Sequence, residues 1–204
     1  MLKKFASDAL GLSDIGKIIG PEDYDKTDAD DYIRNEENEK IYFLIKTKAD
    51  EYCFTNTAFI HVDGEKAISS KRLLKRYPYS KYQMTDVFLE TAGKVDLDVE
   101  IKFSLGNQSF SIDVDKNQLA QLIDLYKALS YMSEKVHDNN ILLELANGSL
   151  DRAVTVLHNA RLSDIKLADQ YKELTEFSFS WLTATRDQYH VKDFGDVFEK
   201  YINN

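Results

Sequence analysis

The side chains of this 204-residue chain best suited to metal or nucleophilic chemistry are four histidines, His61, His137, His158 and His190, and a single cysteine, Cys53. The histidines show no HExxH-type spacing, and no second cysteine is present to build a thiolate cluster, so no metal site is expected. Cys53 stands between Tyr52 and Phe54 in a run with strand character. It reads as a buried inert thiol, because a nucleophilic thiolate needs an accessible, electropositive setting. No GxSxG, Walker or GxGxxG pattern occurs. Asp193-Phe194-Gly195 spells the metal-binding tripeptide of protein kinases but lacks the glycine-rich loop and HRD motif, and it is read as coincidence. Asp96, Asp98 and Glu100 alternate with apolar residues, which places them on the wet face of a strand; divalent ion binding is the weaker reading, since those like charges would need further ligands.

The one concentrated charge signal is SSKRLLKRYPYSKY, residues 69 to 82. It gathers Lys71, Arg72, Lys75, Arg76 and Lys81 without an acid, in a chain of formal net charge -9 and pI about 5.0. A general nucleic-acid binder would carry a net basic footprint, so no nucleic-acid partner is expected. The five cations form a candidate binding site for an anionic partner. That partner is either acidic protein surface, on another subunit or in the segment Glu22 to Glu39, or an anionic membrane, with the protein surface favoured. As a helix this run would set Leu73, Leu74 and Tyr77 against its basic residues; as a strand it would put cations on both faces. Its own pattern favours neither. The preceding Asp63-Gly64 turn signal and the strands on both sides favour a strand ended by Pro78, placed at an edge or beside an assembly partner.

The elements that position these residues divide the chain into three. Residues 1–39 comprise a short amphipathic N-terminal helix, with Leu2, Phe5, Ala6, Ala9 and Leu10 on one face, and the acid-rich segment Glu22 to Glu39, read as a solvated linker. Residues 40–130 hold about seven strands and a capping helix. IYFLIKT (41–47), EYCFT (51–55), AFIHV (58–62), the basic run and DVFLETA (86–92) are followed by Val95, Leu97, Val99, Ile101 and Phe103, which alternate with polar residues. A Gly106-Asn107 turn leads to a last strand with Phe110, Ile112 and Val114. Asp115 then caps a helix with Leu119, Leu122, Ile123, Tyr126 and Leu129 on one face.

Residues 131–204 lose strand alternation and read as a helical extension. It is broken at Asn147-Gly148 and restarted at caps Ser149 and Ser163, with FSFSWL (177–182) and an aromatic end. Its apolar stripes must be buried on the sheet domain, on themselves or on another copy. The fold class is α+β, a bent seven-stranded antiparallel sheet or partly open barrel capped by a helix, followed by a helical extension. No stretch of about 18 apolar residues suggests a spanning helix, and the interrupted N-terminus forms no signal-peptide core. A cytoplasmic location is expected, with peripheral membrane attachment as the alternative.

The run ETAGKVDLDVEIKFSLG (90–106), together with FTNTAFIHVDGEKAISSKRLLKRYPYSKY, resembles the bacterial pleckstrin-homology-like domains. Joined to a helical C-terminal extension, it resembles the YvbH-like proteins. The resemblance implies a seven-stranded bent sheet closed by a C-terminal helix, and an extension that serves homo-oligomerisation. It implies neither an enzymatic activity nor a cofactor. Eukaryotic members often hold inositol phosphates through Lys and Arg between the first two strands; here KTKADEY offers Lys46 and Lys48 followed by Asp50 and Glu51, and no Arg completes the pattern. The expected function is a non-enzymatic, self-assembling interaction or scaffold module, whose partners are further copies of itself or another protein. The alternative is a peripheral membrane adaptor that meets anionic headgroups through the basic strand.

Overall fold

The structure, a computed structural model, describes residues 14–64, 72–91, 93, 98–159 and 167–202. The helix expected over residues 1–10, the cap at Ser163, and Lys71 and Asp96 lie outside them. The described chain separates into two compact units. One is drawn from Met1–Ser133 and Lys192–Asn204, the other from Glu134–Val191.

The first unit is an α+β sheet domain. Its strands are β1 (Lys17–Ile18), β2 (Ile41–Lys46), β3 (Glu51–Thr55), β4 (Ala58–Asp63), β5 (Leu73–Pro78), β6 (Met84–Glu90), β7 (Asp98–Leu105) and β8 (Gln108–Asp115). Five form one antiparallel sheet in the order β1-β2-β3-β4-β5 and three form a second in the order β6-β7-β8. The seven expected strands are present, joined by the short β1. The two sheets remain separate ladders, so the barrel is partly open.

Alternation explains the core. Val99, Ile101, Phe103 and Leu105 of β7 are buried while Asp98, Glu100, Lys102 and Ser104 are not, as period 2 requires. Phe103 meets Phe54 of β3 and Phe59 of β4 at ring-centroid distances of 5.6 and 5.2 Å, and Phe59 meets Phe110 of β8 at 4.8 Å. These aromatic pairs join the sheets, each adding roughly 0.5–1.5 kcal/mol beyond its area burial. Gly106, at φ +59°, makes the β7–β8 turn that the sequence announces. The β4–β5 connection differs from expectation. Asp63-Gly64 is no two-residue hairpin, for β5 begins only at Leu73, and Gly64 serves close approach instead: a Cβ there would stand 2.4 Å from the Ala49 carbonyl oxygen.

Helix α1 (Leu119–Asn159) follows Asp115, whose carboxylate accepts the Asn117 amide hydrogen at 2.9 Å. Leu122, Leu125, Ala128, Leu129 and Met132 are buried, a stripe turned slightly from the expected one because Leu125 rather than Ile123 or Tyr126 faces inward. Within the same helix Asn147-Gly148 causes no break. Glycine costs only about 1 kcal/mol in a helix interior, and the residues around it propagate the helix well.

Two other expectations need correction. The acid-rich segment is not a solvated linker but a folded strap of three 3-10 turns, Pro21–Lys26, Ala29–Tyr32 and Asn35–Glu37. Ala29 is fully buried in a cluster with Ile19, Leu44, Cys53 and Ile60, and Tyr24, Ile33 and Ile41 pack against it. Aliphatics spaced among acids suffice here, because the acids point outward or find donors. The chain end is likewise more than extension. Helix α3 (Gly195–Ile202) belongs to the sheet unit, where Phe194, Val197 and Phe198 are buried.

The second unit contains the later part of α1 and helix α2 (Leu167–Tyr189). Thr185 is its one buried residue among those described, and no described apolar side chain between Met132 and Phe194 joins the buried core.

Candidate functional site

Strand β5 carries Lys75 and Arg76 of the basic run, and its register assigns these two to opposite faces; Arg72 precedes the strand and Lys81 follows it. Leu74, Arg76 and Pro78 pair with Val62, Ile60 and Ala58, while Leu73, Lys75 and Tyr77 pair with Asp63, His61 and Phe59. β5 stands at the end of its sheet, as an edge strand with cations on both faces should. The two charges of the strand are thereby split between its faces rather than gathered on one.

Arg76 faces inward, with 18% of its side chain exposed, and its Nη2 donates to Glu39 Oε1 at 2.7 Å. The Glu39 side chain is 1% exposed and saturated with donors: Thr55 Oγ1 at 2.6 Å, Thr57 Oγ1 at 2.9 Å and the Arg34 amide at 3.0 Å. Burial pushes its carboxyl upward, yet Arg76, Thr55, Arg34 and Thr57 together hold it below the ordinary carboxylate value. Arg72 bridges to Asp28 of the strap, Nε to Oδ2 at 3.3 Å, and its Nη1 donates to the Ala49 carbonyl at 2.7 Å. Lys75 Nζ lies 3.0 Å from Asp63 Oδ2. Lys81 sits in the turn after β5, exposed and outside this network.

Lys46 is spent similarly. It bonds to Glu51, both side chains being nearly buried, and Glu51 in turn accepts the strap amides of Asp28 and Ala29 at 3.1 and 2.7 Å. Of the two lysines in KTKADEY, Lys46 is thus tied to the strap through Glu51, while Lys48 is exposed. His61 stacks on Tyr52 with centroids 4.8 Å apart, and its Nε2 is 3.6 Å from Asp50 Oδ1, an ion-pair distance too long for a hydrogen bond. Burial, outweighing Asp50 and Asp63, lowers its pKa.

Cys53, Glu100 and Asp193 have structural surroundings. Cys53 is fully buried, and burial raises its thiol well above the usual value, with Glu51 and Glu39 adding to the effect. On the sheet face Glu100 accepts from Ser111 and pairs with Lys102 at 2.9 Å, which also reaches Glu90 at 2.9 Å. No group of His, Cys, Asp and Glu among the described residues is arranged to hold a metal ion. Asp193-Phe194-Gly195 initiates α3. Asp193 accepts the Gly195 amide at 2.7 Å and the Asn56 side-chain amide at 2.6 Å, while Phe194 packs on Tyr79 at 5.7 Å.

The second unit presents a different surface. Leu145 is 63% exposed, Tyr171 73%, Phe177 62% and Phe179 69%, with Ile141, Leu142, Val154, Trp181 and Leu182 also exposed. At about 100° per residue, the apolar side chains of α2 from Phe177 through Tyr171 to Phe179 sweep an arc of roughly 200°. One neighbouring helix cannot cover such an arc. No described helix is long and apolar enough to cross a membrane.

An open antiparallel barrel capped by a helix, followed by a helical unit with exposed apolar side chains, agrees with the pleckstrin-homology-like architecture expected from the sequence. The bacterial PH domain family matches residues 9–133, and the chain belongs to that family. The YvbH-like oligomerisation region matches residues 144–204. Along its whole length the chain is 70% identical to the uncharacterized protein YvbH of Bacillus subtilis (strain 168), covering 100% of both chains. Its fold is similar to the crystal structure of a PH domain containing bacterial protein from Exiguobacterium sibiricum 255-15, with a TM-score of 0.86 and 51% identity over 93% of this chain and 100% of that one.

Proposed function

We propose that the chain is a non-enzymatic, self-assembling interaction or scaffold module in which the unit Glu134–Val191 supplies the contacts between copies. The observation that carries this reading is the absence of any buried apolar side chain among the described residues of that unit, beside the uncovered aromatic arc of α2. Isolated helices gain little stability from propensity alone and rely on burial of an apolar face. Exposed apolar area of this extent marks an interaction site. The match to an oligomerisation region over residues 144–204 supports a second copy as the partner.

Phe177→Glu with Phe179→Glu is the direct test, because it charges the arc and leaves the sheet unit intact. Light scattering at equal concentration should report a lower assembly mass; an unchanged mass overturns the proposal. Truncating everything after Asn140 would be a poorer experiment, since it also removes Phe194, Val197 and Phe198 from the sheet core.

On this reading the basic strand serves acids of its own chain. Support comes from Arg72 with Asp28 and Arg76 with Glu39, which join β5 and the residue before it to the segment before β2, and from Lys75 with Asp63. The alternative is a peripheral membrane adaptor, to which each cation would contribute roughly 1 kcal/mol near an anionic surface. Lys81→Glu separates the two without disturbing the network. Sedimentation with vesicles containing anionic lipid should be equal for both chains; salt-sensitive sedimentation weakened by the substitution would establish the membrane reading.

A further inference from the structure

A cleft of about 470 Å³ opens in the sheet unit between the start of the strap, β2, the first turns of α1 and the end of α3. That volume is within the range of small-ligand sites, about 300–1,000 Å³. Tyr24, Tyr42, Phe43 and Ile202 give it an apolar and aromatic lining, and its charged lining residues are Glu22 and Asp124, with no lysine, arginine or histidine among those described.

The walls are held in place. The Gln118 side chain accepts the Ile18 amide hydrogen at 2.8 Å and donates to the Ile18 carbonyl at 3.0 Å, tying β1 to the base of α1. The Tyr42 ring stacks on Phe198 at 5.3 Å while its hydroxyl donates to Glu199 at 2.9 Å. Gly20 admits the Glu22 carboxylate against the backbone, since a Cβ at that position would stand 2.5 Å from Glu22 Oε1. The surroundings deepen the negative field. The Tyr42 phenol is pushed up to about 12 by burial first, and then by Glu199, Asp193 and Asp196. Lys127 pairs with Asp124 at 3.0 Å, but that exposed pair is screened by solvent and can be exchanged.

We infer that this cleft binds a small organic cation, an alkylammonium whose charge faces Glu22 and Asp124 and whose apolar body lies against Tyr24, Tyr42 and Ile202. Carboxylates with aromatic faces favour such a ligand over a hydrated metal ion, because the rings attract the cation and the apolar lining rewards its body. The same chemistry is offered by a free amine and by the lysine side chain of a peptide.

The test is titration of the full chain with n-butylammonium, followed by transverse-relaxation-optimised amide NMR. Saturable shifts are expected at Gly20, Glu22 and Gln121, with none from butyrate, which has the same body and the opposite charge. Glu22→Gln with Asp124→Asn should weaken binding at least tenfold. Gly20→Ala, which keeps every charge and displaces only the Glu22 carboxylate, should weaken it at least threefold, whereas Asp113→Asn on the β8 face should leave it unchanged. Repeating the titration with putrescine and with a capped lysine peptide distinguishes the sources, the tighter binder naming the class. Non-saturating shifts, an equal response to butyrate, or affinity unaltered by Gly20→Ala and by the double variant would overturn the inference.

Discussion

Replacing Arg76 by alanine is expected to lower the unfolding free energy by about 3–5 kcal/mol, because it strands a carboxylate in the interior. Glu39 is 1% exposed at its side chain and accepts from Arg76, Thr55, Thr57 and the Arg34 amide, so its charge has protein donors in place of water. The ion pair is no bonus over an apolar core; its weight lies in the cost of breaking one half. Glu39→Gln with Arg76→Met should therefore recover much of what Arg76→Ala loses, and the double-mutant cycle should show strong coupling. For a chain of this size the thermal midpoint of Arg76→Ala should fall by about 10 °C. A drop corresponding to less than about 1 kcal/mol would show that the strap relaxes to let water reach Glu39.

The same carboxylate makes stability depend on acid. Its folded-state pKa is depressed relative to the unfolded chain, so its contribution is fully present above the ordinary glutamate value of about 4.3 and is lost as pH falls through the lowered folded-state value. Denaturant midpoints measured downward from pH 5 should decline in the native chain. Glu39→Gln should start lower and decline less steeply over that window.

Phe198→Ala carries the second large effect. Its ring is fully buried and stacks on Tyr42, and truncating a buried phenylalanine costs about 3–5 kcal/mol. The clasp around it joins distant parts of the chain: Phe194 donates its amide to the Asn56 carbonyl at 2.8 Å, Asn56 donates to Asp193, and Tyr42 donates to Glu199. Hydrogen exchange separates two ways in which the loss can appear. If α3 unfolds with the sheet, amides throughout β2 to β4 lose protection together with those of residues 195–202. If α3 opens separately, only its own amides and those it covers exchange faster. The first outcome is expected, because Phe194, Val197 and Phe198 belong to the same buried core as β2 and β3. Protection of α3 unchanged in the variant would show that the clasp does not depend on this ring.

The clasp also determines how the scaffold must be dissected. The unit Glu134–Val191 leaves the sheet unit after Ser133 and the chain rejoins that unit at Lys192, so each end of the extension is attached to folded sheet-unit structure. Truncation from the C-terminus consequently confounds loss of assembly with loss of sheet stability. Charging Phe177 and Phe179 does not.

By itself the sequence determined what depends on near neighbours. Alternation from Val99 to Phe103, the Gly106-Asn107 turn and the Asp115 cap are each written within a few residues, because the strand period, a positive φ and a capping bond are local properties. The resemblance to the bacterial pleckstrin-homology domains added the order of the whole. The basic run was legible as charge and as an edge strand, and the segment Glu22 to Glu39 as one candidate partner, but not which acid meets which cation. Glu39 lies 37 positions from Arg76, and no spacing rule connects them. Likewise, acids from Glu22 to Glu39 suggested solvation because composition averages over side chains, whereas burial is decided one residue at a time; Thr27, Ala29 and Glu39 are buried while the other acids of the segment keep some exposure. Asn147-Gly148 looked like a helix end because glycine weakens a helix locally, and the cooperative continuation of α1 outweighed that cost. The return of Phe194 to Tyr79 and of Phe198 to Tyr42, both far earlier in the chain, was the tertiary structure's decision alone, made by packing between distant segments.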